Sequence, residues 1–130
     1  MKLRALIVED CEVMRNLLMQ MLTLTDLAEF KFTEAKDGAD ALAKFDPKHT
    51  DMIFVDWIMP RLSGTELVRK LRASSKTGHI PIIMVTGQRT VGNVEEALDE
   101  AGADVYITKP YTISELRRRL ATVIKQTAKH

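Results

Sequence analysis

Met52-Ile53-Phe54-Val55-Asp56 decides how this chain is read: four apolar residues in a row, two of them β-branched, closed by an acid. Apolar runs without polar alternation suit strands covered on both faces, as in a parallel sheet between two helix layers. Similar runs lie at Leu3 to Val8 and Ile80 to Val85, with weaker ones at Phe30 to Ala35 and Asp104 to Ile107. Segments of helical period separate them. Val13, Met14, Leu17, Leu18, Met21 and Leu22 return as adjacent pairs every four positions, predicting a first helix that buries the whole stripe as core. Ala39, Leu42, Ala43 and Phe45 predict a second helix, and Leu67, Val68 and Leu71 a third. Val94, Ala97, Leu98 and Ala101 predict a fourth, and Ile113, Leu116, Leu120, Val123 and Ile124 a fifth. Ser63 with Glu66 and Thr112 with Glu115 have the spacing of a capping box at a helix start. The alternation predicts a doubly wound α/β domain, a five-stranded parallel sheet with five helices.

Length and charge bound what such a domain does. At 130 residues, 45% hydrophobic and 28% charged, residues 1–130 are expected to form one compact unit with no room for a second. Nineteen basic and 18 acidic residues leave a net charge of +1, so no overall field draws the molecule to nucleic acid or anionic lipid. Cys11 is the single cysteine and cannot form an intrachain disulfide. Met1 and Lys2 lead straight into a strand-like run, and no apolar stretch approaches the roughly 20 residues of a membrane span. A cytoplasmic location is therefore expected.

In a doubly wound sheet, ligands bind beyond the carboxyl ends of the strands, near the point where strand order reverses. Glu9 and Asp10, Asp56, Thr86 and Lys109 all occupy such positions. Three carboxylates held close repel one another unless a cation neutralises them. An all-oxygen site suits Mg2+ or Mn2+, and no His or Cys pair stands at zinc-ligand spacing. Asp56 has two roles open to it, metal ligand or nucleophile, and can fill both if one carboxylate oxygen binds metal while the other attacks phosphorus. The metal, the Lys109 ammonium and the Thr86 hydroxyl would then each meet one phosphoryl oxygen. Gly87 leaves space beside Thr86 for a donor or a water. Proline after Lys109 restricts its backbone and permits a cis bond, fixing the direction of the lysine.

Ile7-Val8-Glu9-Asp10, Asp56-Trp57-Ile58-Met59-Pro60 continuing to Gly64, Val85-Thr86-Gly87 and Tyr106-Ile107-Thr108-Lys109-Pro110 together resemble the receiver domain of two-component response regulators, across essentially the whole chain. The resemblance implies the flavodoxin-like strand order 2-1-3-4-5. It also implies that Asp56 takes phosphate from a phosphohistidine on a histidine kinase or histidine phosphotransfer protein. Asp10 would bind Mg2+ directly and Glu9 largely through water, with Asp56 and the Ile58 carbonyl as further ligands. Thr86 and Lys109 would hold the phosphoryl group, with Lys109-Pro110 cis. As a switch, Thr86 would move toward the phosphoryl group and Tyr106 turn inward, remodelling the face of the fourth helix, fifth strand and fifth helix for a downstream protein. The implied protein is a monomer or a phosphorylation-dependent dimer.

Ile58 and Gln88 lie two residues past Asp56 and Thr86, where the family varies. Apolar Ile58 cannot orient a hydrolytic water, so self-dephosphorylation is expected to be slow to moderate, with Gln88 the neighbouring amide. Arg117, Arg118 and Arg119 read first as a solvated helix face near a C-terminus, and second as an output surface for an acidic partner. His49, His79 and His130 fall outside the proposed site. A nucleotide or flavin carrier of similar fold needs a phosphate-cradling loop where this chain has acidic Glu9-Asp10-Cys11-Glu12. A phosphatase acting on foreign substrates wants a second acid where Ile58 stands. A phosphate-independent interaction module has no use for the intact set of strand-end residues.

Overall fold

The computed structural model describes residues 1–56, 64–73, 80–87 and 102–128, leaving aside the side chains of Thr65, Thr86 and residues 126–128. Strands β1 (Lys2–Val8), β2 (Glu29–Ala35), β3 (Met52–Asp56), β4 (Ile82–Thr86) and β5 (Val105–Thr108) form one sheet in the order β2-β1-β3-β4-β5. Every pairing is parallel, which gives the flavodoxin-like order expected of the resemblance. Helices α1 (Glu12–Leu24), α2 (Gly38–Lys44), α3 (Gly64–Arg72) and a C-terminal helix (Ile113–Ala128) are the four among the described residues. The expected fourth helix at Val94 to Ala101 and the expected cap at Ser63 lie outside them.

Successive strand side chains point to opposite faces, and each face has its own core. Leu6, Val8, Ile53, Val55 and Met84 pack with Ala41 of α2 and Leu67, Val68 and Leu71 of α3. Ala5, Ile7, Phe54, Ile83 and Val85 pack with Leu18 and Leu22 of α1 and Leu116 and Leu120 of the C-terminal helix. The continuous apolar runs are explained by this double coverage, since neither side of a central strand meets water.

Two helix faces differ from expectation. In α1, Leu18 and Leu22 are buried and Met14 and Met21 half-buried, but Val13 is 73% exposed and Leu17 42%. Adjacent residues stand about 100° apart around a helix, so Val13 and Leu17 turn away from the core that takes Leu18 and Leu22, while Met21, near the end of the helix, packs against its edge. In α2, Gly38 and Ala41 are buried, whereas Ala39, Leu42 and Ala43 are exposed. The Asp37 carboxylate caps this helix, accepting from the Asp40 N–H at 2.7 Å. That start turns residues 38, 41 and 45 inward, at helical spacing. The C-terminal helix follows its expected phase, with Leu116, Leu120, Val123 and Ile124 buried. Thr112 caps it, its hydroxyl accepting from the Glu115 N–H at 3.1 Å and donating to the Glu115 carboxylate at 3.2 Å.

The amino end of the sheet is cross-linked. Asp51, just before β3, accepts from the Arg4 N–H at 2.7 Å and from its guanidinium at 3.1 and 3.2 Å. Arg72 at the end of α3 donates to the carbonyls of Gly102 (2.9 Å) and Ile80 (2.8 Å) and pairs with Asp104, whose carboxylate also accepts from the Ile82 N–H at 2.8 Å. Gly102 takes φ +89° here, and a Cβ on it would lie 3.1 Å from Arg72 Cγ.

Candidate functional site

Strand register assembles the site. Val8 pairs with Val55, so Glu9 and Asp56, the next residues of β1 and β3, emerge side by side. Asp56 pairs with Val85 and Thr86 with Thr108, which brings the end of β4 and the start of the Lys109 turn to the same edge. Carboxylate oxygens of Glu9, Asp10 and Asp56 all lie within 4.8 Å of one another. Lys109 Nζ stands 3.8 Å from Glu9 Oε1 and 3.8 Å from Asp56 Oδ2. The Lys109-Pro110 bond is cis. Gly87 is exposed, and among the described residues a Cβ there would meet nothing within 4 Å.

Burial makes the cluster electrostatically costly. Glu9 and Asp56 are both buried, while Asp10 is exposed. Desolvation, followed by the hydrogen bond and charge of Asp56 and the charge of Asp10, raises the Glu9 carboxyl from 4.5 to about 8; Lys109 opposes the rise. Without a bound cation, the Glu9–Asp56 pair therefore favours keeping a proton. A small divalent cation would displace it. Three carboxylates with one face open to solvent supply the oxygen donors that Mg2+ accepts while keeping several waters. Those residues fit such an ion.

The remaining predicted residues divide. The Thr86 backbone ends β4 at the site edge, but its side chain is outside the description, as are Trp57, Ile58 and Gln88. Tyr106 is half-buried on the β5 side and packs against the core beneath α2 and α3, with the Arg119 guanidinium 5.5 Å from its ring centroid. All three arginines of the run are exposed, but their contacts differ: Arg117 Nε donates to the Thr25 carbonyl at 3.0 Å, and the Arg119 guanidinium lies over Tyr106.

Two residues escaped the sequence reading. Tyr111 helps close a small cavity behind the carboxylates, with Met14, Leu18 and Phe54. Burial and the charges of Glu9 and Asp56 push its phenol up to about 12. Its position just after Lys109-Pro110 was the available signal. Arg15, on the first turn of α1, donates from Nη1 to the Glu9 carbonyl at 2.7 Å and from Nε to Glu34 at 2.8 Å. Nothing local in the sequence marks it.

Comparison with known proteins bears on this geometry. The family model described as the response regulator receiver domain matches residues 5–121. The chain is 32% identical to Chemotaxis protein CheY of Pseudomonas aeruginosa over 124 residues, covering 95% of this chain and 98% of that protein. It is 36% identical to Chemotaxis protein CheY1 of Helicobacter pylori over 123 residues, 94% of this chain and 97% of the relative. Among solved structures, the receiver domain of a sensor histidine kinase from Pseudomonas aeruginosa is similar at TM-score 0.80 and 29% identity, over 96% of this chain and 99% of that one. That structure has a magnesium ion coordinated in its active-site cleft.

Proposed function

Because the chain belongs to the response regulator receiver domain family, we propose that residues 1–130 act as one receiver domain whose Asp56 accepts a phosphoryl group from a phosphohistidine of a histidine kinase or histidine phosphotransfer protein. The observation that carries this reading is the convergence of Glu9, Asp10 and Asp56 within 4.8 Å, with Lys109 3.8 Å from two of them.

A carboxylate oxygen of Asp56 attacks the phosphorus, the bond from phosphorus to the histidine nitrogen breaks, and the imidazole leaves with that electron pair. Glu9, Asp10, Asp56 and the Ile58 carbonyl would hold Mg2+ (or Mn2+, which suits the same donors), and the ion would supply positive charge where phosphoryl charge develops. Lys109 meets a second phosphoryl oxygen, because its ammonium already sits at salt-bridge range from Asp56. Thr86, at the end of β4, meets a third. Gly87 leaves the approach open. Later hydrolysis by water returns Asp56 to its free state.

Readout passes through Thr86 and Tyr106 to the face that includes β5 and the C-terminal helix, where a downstream protein docks. The protein works in the cytoplasm without direct nucleic-acid or membrane binding, as a monomer or a phosphorylation-dependent dimer. Among the described residues no helix is long and apolar enough to cross a membrane.

The test is intact-mass measurement after incubation with acetyl phosphate and Mg2+. One hydroxylamine-labile phosphoryl group is expected on the wild type and none on Asp56→Asn. Labelling of Asp56→Asn to the same extent refutes the assignment.

A further inference from the structure

We infer that Arg15 is a positioning residue for the divalent-cation site, holding the turn that carries Glu9 and Asp10. The inference rests on reading Glu9, Asp10 and Asp56 as that site. It begins from an imbalance between the two acids of the turn. Glu9 is fixed on its amino side, where its N–H donates to the Ala35 carbonyl at 3.0 Å and extends the β1–β2 ladder by one residue. Asp10 is exposed, and among the described residues no hydrogen bond holds its carboxylate. The residue after it, Cys11, is the N-cap of α1 but makes no side-chain capping bond. Left to itself, the peptide between Glu9 and Asp10 is free to rotate, and with it the direction of Asp10.

Arg15 removes that freedom. Its Nη1 donates to the Glu9 carbonyl at 2.7 Å, which fixes the plane of the peptide leading into Asp10. Its own N–H donates to the Cys11 carbonyl at 2.9 Å, closing the first turn of α1 on the far side of Asp10. One residue thus grips the loop on both sides of the exposed ligand. The guanidinium is held in turn by Glu34, whose carboxylate accepts from Nε at 2.8 Å, and the Arg15 side chain is only 14% exposed. Glu34 belongs to β2, the strand that also anchors the Glu9 N–H. The planar fork lets one side chain bridge a backbone carbonyl and a carboxylate, which the single ammonium of lysine cannot copy at both distances. Arg15 touches no carboxylate of the cluster, so it acts through Glu9 and Asp10.

Mg2+ titration of the full chain tests this, followed by calorimetry and by emission of Trp57, the only tryptophan and the neighbour of Asp56 in sequence. Arg15→Gln is expected to weaken Mg2+ binding by about tenfold or more, the usual cost of losing a group that orients ligands. Arg15→Lys is expected to recover part of the loss. A purely structural arginine would lower the unfolding temperature and leave the affinity of the folded protein unchanged. Folded Arg15→Gln that binds Mg2+ within about twofold of wild type overturns the inference. Should Arg15→Gln not fold, Glu34→Ala, which leaves Arg15 in place without its carboxylate partner, is expected to weaken binding in the same direction; unchanged affinity there overturns it too. Failure of the wild type to bind Mg2+ would instead bring down the metal reading itself, which separates the two failures.

Discussion

Glu9 is expected to make cation binding pH-sensitive, and the size of the effect follows from its surroundings. Its carboxyl is raised from 4.5 to about 8 by burial, by the hydrogen bond and charge of Asp56 and by Asp10. Between those values the folded, metal-free chain binds a proton that the unfolded chain does not, so its stability falls as pH rises through that window. Mg2+ needs the carboxylate form, so binding must expel the proton. With a pKa of about 8, the ionised fraction grows about fifty-fold from pH 6 to pH 8, and apparent Mg2+ affinity should grow with it. The curve should flatten above pH 8 or so. Calorimetry in buffers of different ionisation enthalpy would count the released proton, close to one at pH 6.5. Glu9→Gln should bind more weakly and lose most of this dependence. An affinity that changes less than about threefold across pH 6 to 8, with no proton released, would refute the reasoning.

Other consequences concern stability. Gly102→Ala places a side chain at φ +89° against Arg72, and should cost about 1–2 kcal/mol, read as a lower urea midpoint. Leu22→Ala, at a fully buried position, should cost about 3 kcal/mol, whereas Val13→Ala on the exposed face of the same helix should cost under about 0.5 kcal/mol. Equal losses at the two positions would contradict the phase assigned to α1. For Asp51, burial works to raise the pKa, but hydrogen bonds from the Arg4 side chain and N–H together with its charge hold it below the usual 3.8. The stability it contributes is present above that value and is lost as pH falls through the lower folded one, so Asp51→Asn should flatten the acid limb of an unfolding-temperature profile.

The placement of strand-end residues was readable in advance because it depends on local facts. A run such as Met52 to Val55 marks a doubly covered strand, and the residue closing it lands at the carboxyl edge whatever the details of packing. Glu9, Asp10, Asp56 and Lys109 therefore met as expected. Helix phase was harder. Val13 and Leu17 match the core pattern as well as Met14 and Leu18 do, and only the way α1 packs on the sheet and the C-terminal helix decides between them. Least legible were the long-range partners. Arg15 and Glu34, Arg72 and Asp104, and Arg117 and Thr25 are separated by 19, 32 and 92 residues, and no composition or spacing rule connects them before the sheet order is known. The three adjacent arginines show the same limit. Identical letters acquire a backbone tether, a solvent face and an aromatic cover because each step around the helix turns the side chain toward a different neighbour.

The two ends of the sheet are built to opposite rules. Arg4 with Asp51, and Arg72 with Asp104, tie down the amino end, while the carboxyl end keeps buried acids pressed together. This polarity bears on how such a chain drifts under mutation. A neutral residue at Glu9 removes the cost of holding a proton on this carboxyl in the metal-free protein and should raise its unfolding temperature while weakening the cation site. Selection for hardiness alone would thus erode the carboxyl edge first, leaving a well-folded relative that no longer answers its kinase.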